Sequence, residues 1–164
     1  MRFSPTPPDE DDIVIRLHQG ARHTLWPLFE LADDSSMAIR GYIDEGVVHV
    51  AMTGGVAIGH AQVVRREGTT HELRSLAVLP SFRRRGIGTR LVDRSVAWVR
   101  VRSGERLLVG TATADLENLR FYQQLGFRML RVERDVFTPE QGYPEGLVAH
   151  GIPVRDRVWL LLEL

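Results

Sequence analysis

The chain has 164 residues, 43% of them hydrophobic and 26% charged, the balance of one soluble globular domain with a substantial core. Its 21 basic and 21 acidic residues cancel, which removes any global pull toward nucleic acid or an anionic membrane. The absence of cysteine excludes disulfides, thiol catalysis and thiolate metal sites, and no apolar run reaches the ~20 residues that span a bilayer.

Residues 1–11, proline-rich and acidic, read as a flexible leader without a signal-peptide hydrophobic stretch, and residues 12–164 as a single domain. A cytoplasmic location is the default expectation. A first strand is expected over 13–17. Leu25, Leu28, Phe29 and Ala32 share one face of a helix expected over 21–32. A second short helix is expected over 35–43, before the turn Asp44-Glu45-Gly46. Runs 47–52 and 56–64 flank Thr53-Gly54-Gly55, a hairpin signal, and a turn at Glu67-Gly68 leads into a strand over 70–79. Ile87, Leu91, Val92, Ser95, Val96 and Val99 mark an amphipathic helix closed near Gly104. A short buried strand over 107–110 precedes a helix over 115–125, with Asp115 placed to cap it. Residues 127–137 predict a strand, 138–153 a Pro/Gly-rich loop, and 157–164 a last strand, apolar enough to pair within the sheet or across a dimer. The order is an antiparallel meander followed by strand–helix–strand–helix–strand–strand. It predicts an α/β (α+β) fold with a mixed, mostly antiparallel sheet of about seven strands flanked by helices.

Between the strand and the helix lie Arg83, Arg84, Arg85, Gly86, Ile87, Gly88 and Thr89. Glycines one residue apart let the backbone curl so that amides face a concavity at a helix N-terminus, where orphan N–H groups and the macrodipole favour an anion. The arginines add forked donors suited to phosphate. This is not a nucleotide-triphosphate loop, because the chain contains no lysine. Nor is it a dinucleotide fingerprint, because Arg90 and Leu91 stand where a third glycine is needed. Nucleic-acid contact is disfavoured by the lack of interleaved aromatics or a wider basic face. The six histidines show no ligand-like spacing, so no metal is expected.

Three landmarks carry a resemblance. Arg83-x-x-Gly86-x-Gly88, the preceding Leu76-Ala77-Val78 with Pro80, and Phe121-Tyr122-Gln123-Gln124-Leu125-Gly126-Phe127 occur in order. Together they resemble the GNAT superfamily of acyl-CoA-dependent N-acetyltransferases over residues 12–164. The resemblance implies that the anion is the pyrophosphate of acetyl-CoA, held by Arg83, Arg84, Arg85, Gly86, Ile87, Gly88 and Thr89. It implies that two strands splay apart and that the pantetheine arm pairs with the open edge at Leu76, Ala77 and Val78, as an added strand does. An N–H near Val78 would then polarise the acetyl carbonyl.

The same resemblance makes Glu72 the candidate general base and Tyr122 the candidate acid for the departing thiolate. Their alternatives are a strand carboxylate paired with Arg74 or Arg106, and a core aromatic. Asp115 stands where relatives carry asparagine, and an ionised aspartate has no donor, so Asn118 is the candidate substitute for that pantetheine contact. The implied activity is acetyl transfer to a primary amine by direct attack in a ternary complex. Alternatives are another acyl-CoA, a protein amine, or a non-catalytic CoA-binding module. Trp26, Phe29, Tyr143 and His150 are candidate acceptor-lining residues, with Asp33-Asp34 and Asp44-Glu45 as possible contributors. Neither the acceptor nor the choice between monomer and homodimer is legible.

Overall fold

The computed structural model describes residues 12–164, so the leader expected over 1–11 lies outside the described residues. The chain runs β1 (Val14–Leu17), a 3-10 turn (Arg22–Leu25), α1 (Trp26–Ala32), α2 (Ser36–Tyr42), β2 (Val47–Thr53), β3 (Val56–Arg65) and β4 (Thr70–Val78). It continues through α3 (Ile87–Arg100), β5 (Arg106–Ala112), α4 (Leu116–Gln124), β6 (Arg128–Glu133), the short β7 (Val148–Ala149) and β8 (Ile152–Pro153), and β9 (Arg157–Glu163). Seven strands form one sheet in the order β1-β2-β3-β4-β5-β9-β6. Every ladder is antiparallel except β4–β5, whose parallel pairing requires the crossover through α3. The mixed sheet flanked by helices agrees with the fold expected from sequence.

The structure refines four local readings. The helix expected over 21–32 begins as a 3-10 turn, because Pro27 has no N–H to give the His23 carbonyl; the Trp26 N–H takes it instead. The strand expected to reach 137 stops at Glu133, and Asp135 turns the chain at φ 56°. The 138–153 loop contains the hairpin of β7 and β8. β9 pairs within the sheet, antiparallel to β5 on one side and β6 on the other.

The sheet buries both faces. Val48 and Val50 of β2 join Leu25, Leu28, Phe29 and Ile39 under α1 and α2. The alternate residues His49 and Ala51 turn to the face of α3, with His49 beside Ser95. On that face Ala61, Val63, Leu73, Leu91, Val99 and Leu107 form the larger cluster, with Tyr122 and Phe127 extending it toward α4. Each fully buried large apolar side chain contributes roughly 2 kcal/mol. Among the described residues no helix is long and apolar enough to cross a membrane.

A buried glutamine fixes the turn between α2 and β2. Gln62 Nε2 donates to the carbonyls of Tyr42 (2.8 Å) and Glu45 (2.9 Å), and Arg22 donates to the Gly46 carbonyl at 2.8 Å. The Glu45 and Gly46 carbonyls of the turn are thereby satisfied, and Tyr42 gains a second donor beside the Glu45 N–H. Gly46 sits at φ 53°, and a Cβ there would overlap the Val63 carbonyl oxygen. Gly46→Ala therefore combines a left-handed strain of about 1–2 kcal/mol with a backbone clash. A loss above about 2 kcal/mol is expected in urea unfolding; an unchanged midpoint would contradict the assignment.

Candidate active site

The sheet opens between β4 and β5. Their ladder runs only from Thr70–Arg106 to Leu73–Val109. Beyond it β5 stays bonded to β9 as far as Ala112, while β4 stays with β3 as far as Val78. A β-bulge marks the point of departure: Gln62 faces Ser75 but Val63 faces Leu73, so Arg74 is an extra residue in β4. A bulge bends its strand and increases local twist. The resulting cleft of about 200 Å³ is lined by Leu76 on one side, 109–112 on the other, and Tyr122 of α4. The splay inferred from the family resemblance is thus present, and among the described residues β4 beyond Leu73 has no strand partner on that edge.

The N-terminus of α3 lies just past the end of β4. Arg84 and Gly86 take left-handed conformations (φ 61° and 71°), and α3 starts at Ile87 without a capping side chain or an acid in its first turn. Arg83 Nε donates to the Val78 carbonyl at 3.0 Å and ties the turn to β4. The Arg85 guanidinium lies over the Phe82 ring at 5.4 Å. Gly88 lets α3 approach α4, since an added Cβ would sit 3.3 Å from the Phe121 ring. Unpaired amides, the macrodipole and arginines therefore concentrate positive potential there.

α4 brings three of the sequence-derived candidates together. Asp115 caps the helix by accepting from the Asn118 N–H at 3.0 Å, and the Asn118 amide donates to Asp115 (2.8 Å) and to Thr111 (3.3 Å). All three residues line the cleft with Tyr122. Burial, reinforced by the Asp115 carboxylate, pushes the Tyr122 phenol well above its ordinary value, so it remains a proton donor at neutral pH.

Glu72 is elsewhere. Its carboxylate accepts from Arg66 Nε at 2.6 Å, Arg66 also reaches Glu45 at 3.1 Å, and Arg74 stands 3.9 Å away; Glu72 does not line the cleft. On an unbroken strand, residues six apart share a face. The bulge reverses this: Glu72 lies opposite Val64 and Val78 opposite Gly59, positions on opposite faces of β3.

The far end of the cleft holds a polar corner that sequence reasoning only partly found. Asp33 and Asp34 line it with Tyr42, Arg74, Ser75, Tyr143 and Arg157. Asp33 accepts from the Tyr42 hydroxyl at 3.1 Å and from the Ser35 N–H at 3.0 Å. Ser75 bonds to Nε2 of the fully buried His60 at 2.8 Å, and burial pushes that imidazole down to about 3, so it is neutral. Burial, then the neighbouring Asp33, raises Asp34 above the usual aspartate value. Of the acceptor-lining candidates, Tyr143 is in the cleft. Phe29 is sealed against His60 (ring centroids 4.4 Å), Trp26 lies under Arg40, and His150 Nδ1 lies 3.3 Å from the Ala114 carbonyl oxygen. Tyr42 and Arg157 carried no local signal; the polar Arg74-Ser75 pair inside an apolar strand did. Among the described residues no group of three or more metal-ligating side chains is assembled.

The model of the acetyltransferase (GNAT) family matches residues 17–127. An uncharacterised N-acetyltransferase of Bacillus subtilis, YvbK, is 28% identical over 92% of this chain and 96% of its own length. A GNAT family acetyltransferase from Elizabethkingia anophelis, solved with acetyl-CoA bound, has a TM-score of 0.86 at 28% identity, covering 94% of this chain and all of that one. An IAA acetyltransferase from Bacillus cereus has a TM-score of 0.84 at 30% identity, covering 93% of this chain and 99% of that one.

The Arg66 contact gives Glu72 a structural task that can be measured. Glu72→Gln is expected to destabilise the fold by about 1 kcal/mol in urea unfolding, because the partly solvated Arg66 weakens the ion pair. Unchanged stability would mean that the ion pair contributes nothing.

Proposed function

The chain belongs to the GNAT family of acetyltransferases, and we propose that it moves the acetyl group of acetyl-CoA directly to a primary amine within one ternary complex. It is an acyl-CoA-dependent N-acetyltransferase. The observation that carries the reading is the opening between β4 and β5, which ends at the uncapped N-terminus of α3. In this reading the pantetheine arm lies along Leu76, Ala77 and Val78, where β4 lacks a partner. The pyrophosphate takes the amides from Arg84 to Thr89, with Arg83 and Arg85 beside it. Asp115 and Asn118 flank the arm from α4, although the Asn118 amide already donates to Asp115 and Thr111.

The chemistry follows from what the cleft contains. The acceptor ammonium gives up a proton, and its lone pair attacks the thioester carbonyl. The C–S bond then breaks, the departing thiolate takes the Tyr122 proton, and the acetylated nitrogen gives its surplus proton to the phenolate, which restores Tyr122. Holding both reactants in one cleft supplies a large share of the acceleration. Glu72 is left out of this proton path, since Arg66 holds its carboxylate. Asp34, held above the ordinary aspartate range, is the better-placed acceptor for the ammonium proton.

Tyr122→Phe is expected to lower kcat roughly 100-fold while CoA affinity stays unchanged, measured by thiol release from acetyl-CoA and by calorimetry. The wild-type pH profile should fall on the acid side as Asp34 protonates, at a pH raised from the ordinary aspartate value by burial and the neighbouring Asp33. It should show no alkaline limb from Tyr122 near the ordinary tyrosine value, because that phenol is shifted upward. Normal turnover of the phenylalanine variant would remove Tyr122 from the mechanism.

Gly86→Ala tests the cradle. Its Cβ enters open space, with no protein atom within 4 Å, so folding loses only the strain of a left-handed residue, about 1–2 kcal/mol. CoA affinity is expected to fall at least about tenfold by calorimetry, because the methyl group occupies the anion's position. Unaltered CoA affinity would place the pyrophosphate elsewhere.

A further inference from the structure

The acceptor end of the cleft has two charged halves. Asp33 and Asp34 lie side by side at the end of α1, and Arg74 and Arg157 stand among the same lining residues. Asp115, the remaining lining carboxylate, is engaged at the cap of α4. Two carboxylates and two guanidiniums leave this end with no net charge.

The guanidiniums have little to hold. Arg74 stacks on the Tyr42 ring at 3.7 Å, which orients its plane, and its carboxylate contact is Glu72 at 3.9 Å. Arg157 reaches Glu133 with one long bond of 3.5 Å, while Trp159 and Arg131 bind that carboxylate at 2.8 and 3.1 Å. Both side chains are only about a quarter exposed, at 25% and 23%. A guanidinium carries five N–H donors in a planar fork that matches a carboxylate. Among the described residues most donors of these two forks have no protein partner, and both forks line the cleft, an arrangement suited to an anion there. That anion is not the pyrophosphate, because no residue from Arg83 to Thr89 lines this cleft.

We infer that the acceptor is a small amino acid-like zwitterion whose ammonium group meets Asp33 and Asp34 and whose own carboxylate meets Arg74 and Arg157. This rests on the acetyltransferase reading above. A polyamine or aminoglycoside would bring a second ammonium against a guanidinium. A protein N-terminus offers no carboxylate beside its amine and has to enter a cleft of about 200 Å³. The carboxylate sets the position of the amine, so Arg74 and Arg157 act as specificity residues and not as acids or bases.

The test is thiol release from acetyl-CoA with matched pairs: β-alanine, γ-aminobutyrate, lysine and phenylalanine, each beside its carboxamide, together with spermidine and kanamycin. For at least one pair, kcat/KM is expected to be tenfold or more higher for the acid than for the amide. Arg74→Gln and Arg157→Gln should bring the acid-to-amide ratio of kcat/KM to within about threefold of one, mainly by raising KM for the acid. Preference for amides, spermidine or kanamycin overturns the inference, as does discrimination that survives both substitutions. Calorimetry with CoA on the same samples separates the two levels. CoA binding without turnover of any acid overturns the acceptor alone, and absence of CoA binding overturns the transferase site with it.

Discussion

The structure turns on one extra residue in one strand. Arg74 interrupts the register between β3 and β4, and just before it the β4–β5 ladder ends. β5 cannot follow β4 outward, because β9 holds it across its full length and β6 holds β9 in turn. The sheet therefore divides into two rigid halves that share four residue pairs at the base and part above them. An exposed strand edge is normally a hazard. Here it lies inside a cleft, where an extended ligand of matching polarity can complete it.

Around that opening the charges are sorted by position. Positive potential gathers at the start of α3, which follows a left-handed arginine and glycine and has no capping side chain. Carboxylates gather at the end of α1. Between them stands Tyr122, buried and kept protonated, with Asp115 and Asn118 fastened to each other and to Thr111. The supporting parts are rigid for ordinary reasons. Gln62 and Arg22 close the α2–β2 turn, and His60 remains neutral because nothing at its buried position favours the charge.

How much of this was legible depends on the distance over which each signal acts. The meander, the crossover helix and the cap at Asp115 could be read because hydrophobic period, glycine turns and caps act within a few residues. Pro27 was equally visible, yet the break it forces in the helix was missed. The placement of Glu72 depends on a longer-range relation. The bulge that sets it and Val78 on opposite faces is a relation between two strands. Tyr42 and Arg157 escaped because one ends α2 and the other starts β9, and only the packed sheet brings them to the same cleft.

Sequence alone determined the order and type of the main elements and the glycine-containing turn at 83–89 that opens α3, because propensity, periodicity and glycine conformations are local properties of the chain. The family followed from motifs whose spacing lies along the same line. Tertiary structure decided that β9 enters the sheet between β5 and β6, that Glu72 belongs to Arg66, and that Asp33, Asp34, Arg74 and Arg157 face one another. Those outcomes depend on which surfaces meet after burial and on one register shift between neighbouring strands, and neither is encoded in the spacing of residues along a single segment.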